Sequence, residues 1–191
     1  MSRQSTRIMV LGIVAYRQPI SGYGIEKTLA EWAVDRWTTI APASVYQQLR
    51  TLGRSGLIEP VAGSTTRAAE FRCTSAGRDE LHRLLLDLLE ERDVRPLSLI
   101  PLLHFTPSLS TAELEHGLTA RVAAIDAALA ASDAMLARSG ELAASHVMEI
   151  FRLTLHGLRA DRDWCRSFLH RLADTDADAW VVETTKGPES P

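Results

Sequence analysis

Cysteine is scarce in this chain: there are two in 191 residues, Cys73 and Cys165. Neither belongs to a paired spacing, which excludes a disulfide framework and a zinc knuckle and fits a reducing cytoplasm. Long apolar runs are also absent. Arg3 and Arg7 followed by the apolar residues 8–16 have the outline of a signal peptide, but Arg17 and Gln18 follow directly and no small-x-small cleavage pattern appears. That run is far too short to cross a membrane and reads as a buried first helix. No glycine-rich phosphate loop and no Gly-x-Ser-x-Gly elbow is present. Six histidines do not repair the case for an enzyme. His146 and Glu149 stand at i,i+3 without a further ligand at helical spacing, and Cys165 and His170 fall about 140° apart on a helix. No catalytic residue, metal or cofactor is expected.

A surplus of positive charge is missing from the whole, but not from each part. The net charge is −3. Through Arg78 there are ten Lys+Arg against five Asp+Glu, a balance of +5; the remainder carries eleven against nineteen, a balance of −8. Only the first part is suited to phosphates.

Within that basic part lies the most informative stretch, residues 41–58. Pro42 fits the first position of a helix, where its missing N–H is harmless. Residue 41 is Ala, so no side-chain cap is expected, and the helix should stop near Gly56. At about 100° per residue, Val45, Leu49 and Leu52 fall within about 60° of one another. Opposite lie Ala43, Gln47 and Arg54, with Arg50 and Thr51 beside them and Ser44 and Tyr46 on the flanks. One side is core; the other carries cations and hydrogen-bonding groups. Arg can hold guanine and Gln can hold adenine through two bonds, and Ala43 is small enough to approach a thymine methyl. Ser44 and Tyr46 suit phosphate oxygens.

The flanking elements give this helix a context. Residues 6–17 predict a first helix. Residues 19–22 are a break, with Ser21 able to cap a helix over 23–32 that carries Ile25, Leu29 and Trp32 at helical spacing. Residues 57–61 and 69–74 read as a β-hairpin, since Ala69, Phe71 and Cys73 alternate with Glu70 and Arg72. Its tip offers the hydroxyls of Ser64, Thr65 and Thr66 and the charge of Arg67 for phosphate or the minor groove. The start of the second helix, with Tyr23, offers a further phosphate grip. Thr74 caps a leucine-rich helix. The order predicts a mainly α chain with a small β-hairpin: an N-terminal winged helix-turn-helix over 1–92, a C-terminal helical dimerisation domain over 93–182, and a disordered tail over 183–191.

In the C-terminal part, Arg95-Pro96 marks a boundary and Pro107 another break. Two long helices follow, separated at Ser139-Gly140. Leu118, Val122, Ile125 and Leu129 form one stripe after Leu114. Phe151, Leu155, Leu158, Cys165, Leu169 and Leu172 form another, with Arg162 in its polar slot. Stripes of this kind pack into antiparallel pairs or intersubunit bundles. Trp164 and Phe168, one turn apart, join the dimerisation set. Trp164, with Trp32 and Trp37 nearer the junction, is a candidate for lining an effector pocket.

Gly22-Tyr23, Pro42-Ala-Ser-Val-Tyr46, Leu49-x-x-Leu52, Gly56-Leu-Ile58 and Phe71-Arg-x-Thr-x-Ala-Gly-Arg78, in this order, resemble the PadR family of bacterial transcriptional regulators. The resemblance covers roughly residues 8–90, and Asp161-Arg-Asp-Trp164 resembles an acidic-x-x-Trp element of the same family. It implies a cytoplasmic homodimer that binds a palindromic operator in double-stranded DNA, as a repressor, and that releases DNA when a small aromatic or apolar effector binds near the dimer interface. It places Ser44 and Tyr46 on phosphates, Gln47 and Arg50 towards bases, and the turn before Arg67 in the wing. Two departures stand out. The wing has a single cation, Arg67, and Gly24 occupies a position usually acidic. A winged helix that binds protein in place of DNA is the other reading, and Gln47, Arg50 and Arg54 are the residues that discriminate the two.

Overall fold

The computed structural model describes residues 3–61, 69–91, 98–139 and 145–174. The expected wing tip (Ser64, Thr65, Thr66, Arg67) and the expected tail (183–191) lie outside the described residues. Two compact units are present: Met1–Leu85 with Pro101–Ser108, and Leu86–Ile100 with Leu109–Pro191.

The first unit opens with α1 (Arg3–Arg17). Its Ile8, Met9, Val10, Leu11, Ile13 and Val14 are fully buried, which explains why the apolar run reads as continuous rather than striped. β1 (Ile20–Ser21) and α2 (Gly22–Glu31) follow. The Ser21 hydroxyl accepts the Gly24 N–H at 3.1 Å, the expected cap. Residues 19–22 are more than a break, however, because Ile20 and Ser21 pair with Phe71 and Glu70. Two residues are too few to show a strand's alternation, so only the partner reveals the strand. A single 3₁₀ turn over Val34–Arg36 leads to α3 (Pro42–Arg54). Ala41 makes no side-chain cap bond and Pro42 is at the start of α3. The helix ends as expected: Gly56 takes a left-handed φ of 68°, and Leu57 N–H returns to the Leu52 carbonyl at 3.0 Å.

β2 (Ile58–Pro60) and β3 (Glu70–Cys73) form the hairpin strands, with Ile58 opposite Cys73 and Glu59 opposite Arg72. With β1 they make a three-stranded antiparallel sheet in the order β1-β3-β2. The Gln18 side chain accepts the Cys73 N–H at 2.8 Å, so β3's pairing continues past the end of β1. Thr74 opens α4 (Ser75–Leu89): its hydroxyl accepts the Gly77 N–H and donates to the Gly56 carbonyl, tying the end of α3 to the start of α4. Helix-turn-helix and strands together form a mainly α, winged-helix arrangement.

α5 (Ile100–Leu103) and the 3₁₀ turn Thr106–Ser108 return the chain to the first unit, where Phe105 is fully buried. The second unit centres on α6 (Thr111–Ser139) and α7 (Ser145–Asp174). α6 begins in a capping box: Ser110 N–H donates to the Glu113 carboxylate at 2.8 Å, and Glu113 N–H donates to the Ser110 hydroxyl at 3.3 Å. Ile125 and Leu129 pack on Leu155 and Leu158, as the stripes predict for an antiparallel pair. One residue inside the stripe is not apolar. Arg121 is 2% exposed, and its guanidinium bonds Asp161 at 2.7 Å and the Ser98 hydroxyl at 2.9 Å.

Candidate nucleic-acid interface

α3 turns Val45, Leu49 and Leu52 into the core, all buried. Its other side is open: Ala43, Gln47, Arg50, Thr51 and Arg54 are exposed, Tyr46 is 43% exposed, and Ser44 is half-buried. The wheel thus yields one buried and one exposed face. The Thr51 hydroxyl donates to the Gln47 carbonyl at 2.9 Å, so it meets a ligand through its lone pairs and methyl group. Tyr23, on the first turn of α2, is 72% exposed.

The surface beside α3 is concave. A groove of about 680 Å³ is lined by the first turn of α2 (Ser21, Gly22, Tyr23), by one flank of α3 (Tyr46, Leu49, Arg50, Gly53, Arg54), and by Ala69 and Phe71. Tyr46 is seated by Gly22: a Cβ at that position would lie 2.5 Å from the Tyr46 ring. The contact holds the start of α2 against α3 and fixes the wall of the groove. Phe71 of β3 and Ala69, the residue just before it, line the groove, a role the alternating pattern alone did not assign.

The groove wall on α3 is cationic, with Arg50 and Arg54 on it. Among the described residues, Arg50 and Arg54 have no carboxylate partner. Elsewhere in the first unit Arg7 pairs with Glu80 at 3.0 Å and Arg17 with Glu31 at 2.9 Å. Two unneutralised guanidinium groups one helical turn apart, beside the amide-rich start of another helix, form a site for anions.

The remaining candidates are distributed as follows. Trp32 and Trp37 lie in the first unit, and each faces His104, which the sequence reading did not single out. The Trp32 and His104 rings stack at 4.6 Å, Trp37 and His104 at 6.2 Å, and the Arg17 guanidinium sits over Trp32 at 5.6 Å. Burial holds the His104 imidazole below its ordinary pKa. Trp164 is half-buried with its ring 5.2 Å from Phe168. Of the dimerisation set, Leu118, Ile125, Leu129, Leu155, Leu158, Phe168 and Leu172 are buried within one chain, and Val122, Phe151 and Leu169 are half-buried. The apolar residues that α7 turns outward are others: Ile150, 63% exposed, and Leu153, 76% exposed. A second reading of the helix would have found them, since 150, 153, 157, 160 and 164 also step by three and four.

Cys165 is buried, and burial with the nearby Asp161 charge pushes its thiol up to about 11, opposed by Arg121. That makes it a poor nucleophile. His170 lies beside Asp174 at 2.7 Å instead, and Glu149 pairs with Arg152. Among the described residues no cluster of three or more potential metal ligands occurs, and no helix is long and apolar enough to cross a membrane.

No family model and no curated protein matches the chain. Among solved structures it is similar to a PadR-like transcriptional regulator, BC1756, from Bacillus cereus, at 17% identity and a TM-score of 0.40, over 90% of this chain and 99% of that one. It is also similar to Bacillus subtilis PadR in complex with operator DNA, at 18% identity and a TM-score of 0.37, over 87% of this chain and 98% of that one. A third similar structure is Bacillus subtilis PadR in complex with p-coumaric acid, at 18% identity and a TM-score of 0.36, over 88% of this chain and 99% of that one.

Proposed function

We propose that the chain is a DNA-binding transcriptional regulator that reads a palindromic operator as a homodimer and acts as a repressor by occupying it. The observation that carries this is the exposed face of α3. It presents Gln47, Arg50, Thr51 and Arg54 on a rigid helix, with the two cations unpaired among the described residues. With no acid paired to them among the described residues, the two guanidinium groups are available to an external anion, and a helix-turn-helix frame offers its second helix to the major groove. Phosphates supply affinity and base edges supply specificity.

The dimer in this reading uses the outward side of α7. Ile150 and Leu153 are apolar and exposed, on a helix whose other stripe is already occupied by α6. A two-fold pair of α3 helices then matches a two-fold operator. The effector part of the reading has Trp164 as its candidate contact, a half-buried indole beside Phe168. A small aromatic or apolar compound that quenches Trp164 fluorescence and weakens DNA binding in the same concentration range fits it; Trp164→Phe should abolish the coupling.

The deciding experiment is titration of the purified protein onto duplex DNA from around its own gene across a salt series. A sequence-selective complex whose affinity falls steeply with salt supports the reading. Equal, negligible binding to all duplexes would instead favour a winged helix that docks on protein.

A further inference from the structure

The groove beside α3 has the charge that DNA needs and a lining that DNA does not. Of its ten lining residues, only Ser21, Arg50 and Arg54 are neither apolar, aromatic nor glycine. Leu49 is 4% exposed and Phe71 is half-buried, so apolar surface forms its floor. A charged, hydrated sugar–phosphate chain has little to place against such a floor. The volume of about 680 Å³ falls inside the range of small-molecule sites, roughly 300–1,000 Å³.

The aromatic walls are held in place by the backbone. The Tyr46 ring rests on Gly22, where a Cβ would lie 2.5 Å from it. Phe71 sits in the central strand of the sheet, opposite Ile20 on one side and Pro60 on the other. A ligand that meets these walls therefore spends little binding energy on ordering them. The cations stand on the α3 side: Arg50 and Arg54, one turn apart, with no carboxylate partner among the described residues. The first turn of α2, at Gly22 and Tyr23, adds the positive end of a helix. Two guanidinium groups and a helix start suit a dianion better than a single negative charge.

We propose that this groove binds a small aromatic phosphate monoester. The ring lies on Leu49, Phe71 and Tyr46, and the phosphate, which carries nearly two charges at neutral pH, is held by Arg50 and Arg54. The apolar floor and the paired cations are then used by one molecule, which neither a neutral aromatic compound nor free phosphate achieves. The ligand and DNA compete for the same two arginines, so they exclude each other. This site is formed within the first unit and is separate from the effector contact at Trp164. The exclusion rests on the DNA-binding reading; the site itself does not.

The test uses the full-length protein and phenyl phosphate, titrated by calorimetry without DNA. Binding should saturate, and phenol and inorganic phosphate should each bind at least about tenfold more weakly. Arg50→Ala, at an exposed residue, should weaken phenyl phosphate about tenfold and flatten its salt dependence. Phe71→Leu, which keeps an apolar side chain in β3, should weaken it about threefold. In a second arm, phenyl phosphate competes with a duplex that the protein selects from a random-sequence pool. The apparent Kd for DNA should rise in proportion to free phenyl phosphate and reach no plateau, as exclusion requires. Phenol binding as tightly as phenyl phosphate, or full affinity in Arg50→Ala, overturns the site. Binding that is lost in Trp164→Phe and kept in Arg50→Ala moves it to α7 and also overturns the proposal. A plateau in the competition overturns the exclusion. A protein that takes up phenyl phosphate but binds no duplex upholds the site and defeats the DNA-binding reading alone.

Discussion

α3 and α7 are both amphipathic helices with arginines on the polar side, and they use them in opposite ways. On α3, Arg50 and Arg54 stand without an acid among the described residues. On α7, Arg152 pairs with Glu149, Arg159 with Asp133, Arg162 with Asp126 and Asp163, and Arg166 with Asp126; Arg171 lies over the Phe168 ring. A guanidinium already held by a carboxylate brings an acid with it, and that acid repels phosphate. Arg159, Arg162 and Arg166 therefore tie α7 to α6, Arg152 and Arg171 are engaged within α7, and the arginines of α3 remain for a ligand. Arginine density does not separate these helices, two in 13 residues against five in 30; the acids within reach do. The +5 and −8 balances of the two parts of the sequence are the same difference seen without coordinates.

The largest effect that sharpens this comparison is expected at the buried end of the α6–α7 pair. Arg121 has a fully buried side chain, and Asp161 is its carboxylate partner. Asp161→Ala leaves a buried cation without that partner and should cost about 3–5 kcal/mol of unfolding free energy in a denaturant titration. Arg50→Ala, which removes an exposed and unpaired group, should change stability by no more than about 0.5 kcal/mol. Comparable losses in the two variants would break the contrast between a structural arginine and a ligand-facing one.

Much of α3 was legible because its information is local. Val45, Leu49 and Leu52 follow the helical period and are buried; Gly56 ends the helix where a left-handed residue is needed. The hairpin strands were legible from alternation. What was not legible is non-local. β1 is two residues long and exists through pairing with β3. Arg121 sits in an otherwise apolar stripe, and nothing near it in sequence says that Asp161, forty residues on, will hold it. His104 belongs to a segment that follows the Arg95-Pro96 break yet groups with the first unit. In the candidate site, the wheel identified the exposed residues but not the groove, because the first turn of α2 and β3 reach it from distant parts of the chain.

The second effect concerns what α7 leaves open. If Ile150 and Leu153 face a second copy, Leu153→Glu puts a charge into that contact and should weaken association by about 2 kcal/mol, roughly thirtyfold. Sedimentation velocity over a concentration series reads this directly. Leu155→Glu, at a residue packed on α6, should instead unfold the helix pair. A Leu153→Glu protein with unchanged association would move the dimer contact off this face and leave the buried stripe as the whole role of α7.

The smallest effect concerns the cation–aromatic stack of the first unit and tests whether it, like α3, serves the ligand. The His104 ring stacks on both Trp32 and Trp37, and Arg17, paired with Glu31, sits over Trp32. Burial lowers the His104 pKa, so the folded state prefers the neutral ring. In the unfolded chain the ring takes up a proton near its ordinary pKa of about 6.5. Below that value the unfolded state binds more protons, and stability falls with pH until the folded ring also titrates. Above it His104 is neutral in both states and contributes no pH dependence. The melting midpoint should therefore decline as pH drops from about 7 towards the depressed folded value, and His104→Phe, which keeps an aromatic ring, should remove that decline. DNA affinity should show no matching change, because none of these residues lines the groove beside α3. A His104→Phe protein that keeps the full acid-side decline would place its origin in other groups. A decline in DNA affinity that vanished with the same substitution would join the stack to the reading face, and α3 would no longer be the only part of the first unit whose cations matter to the ligand.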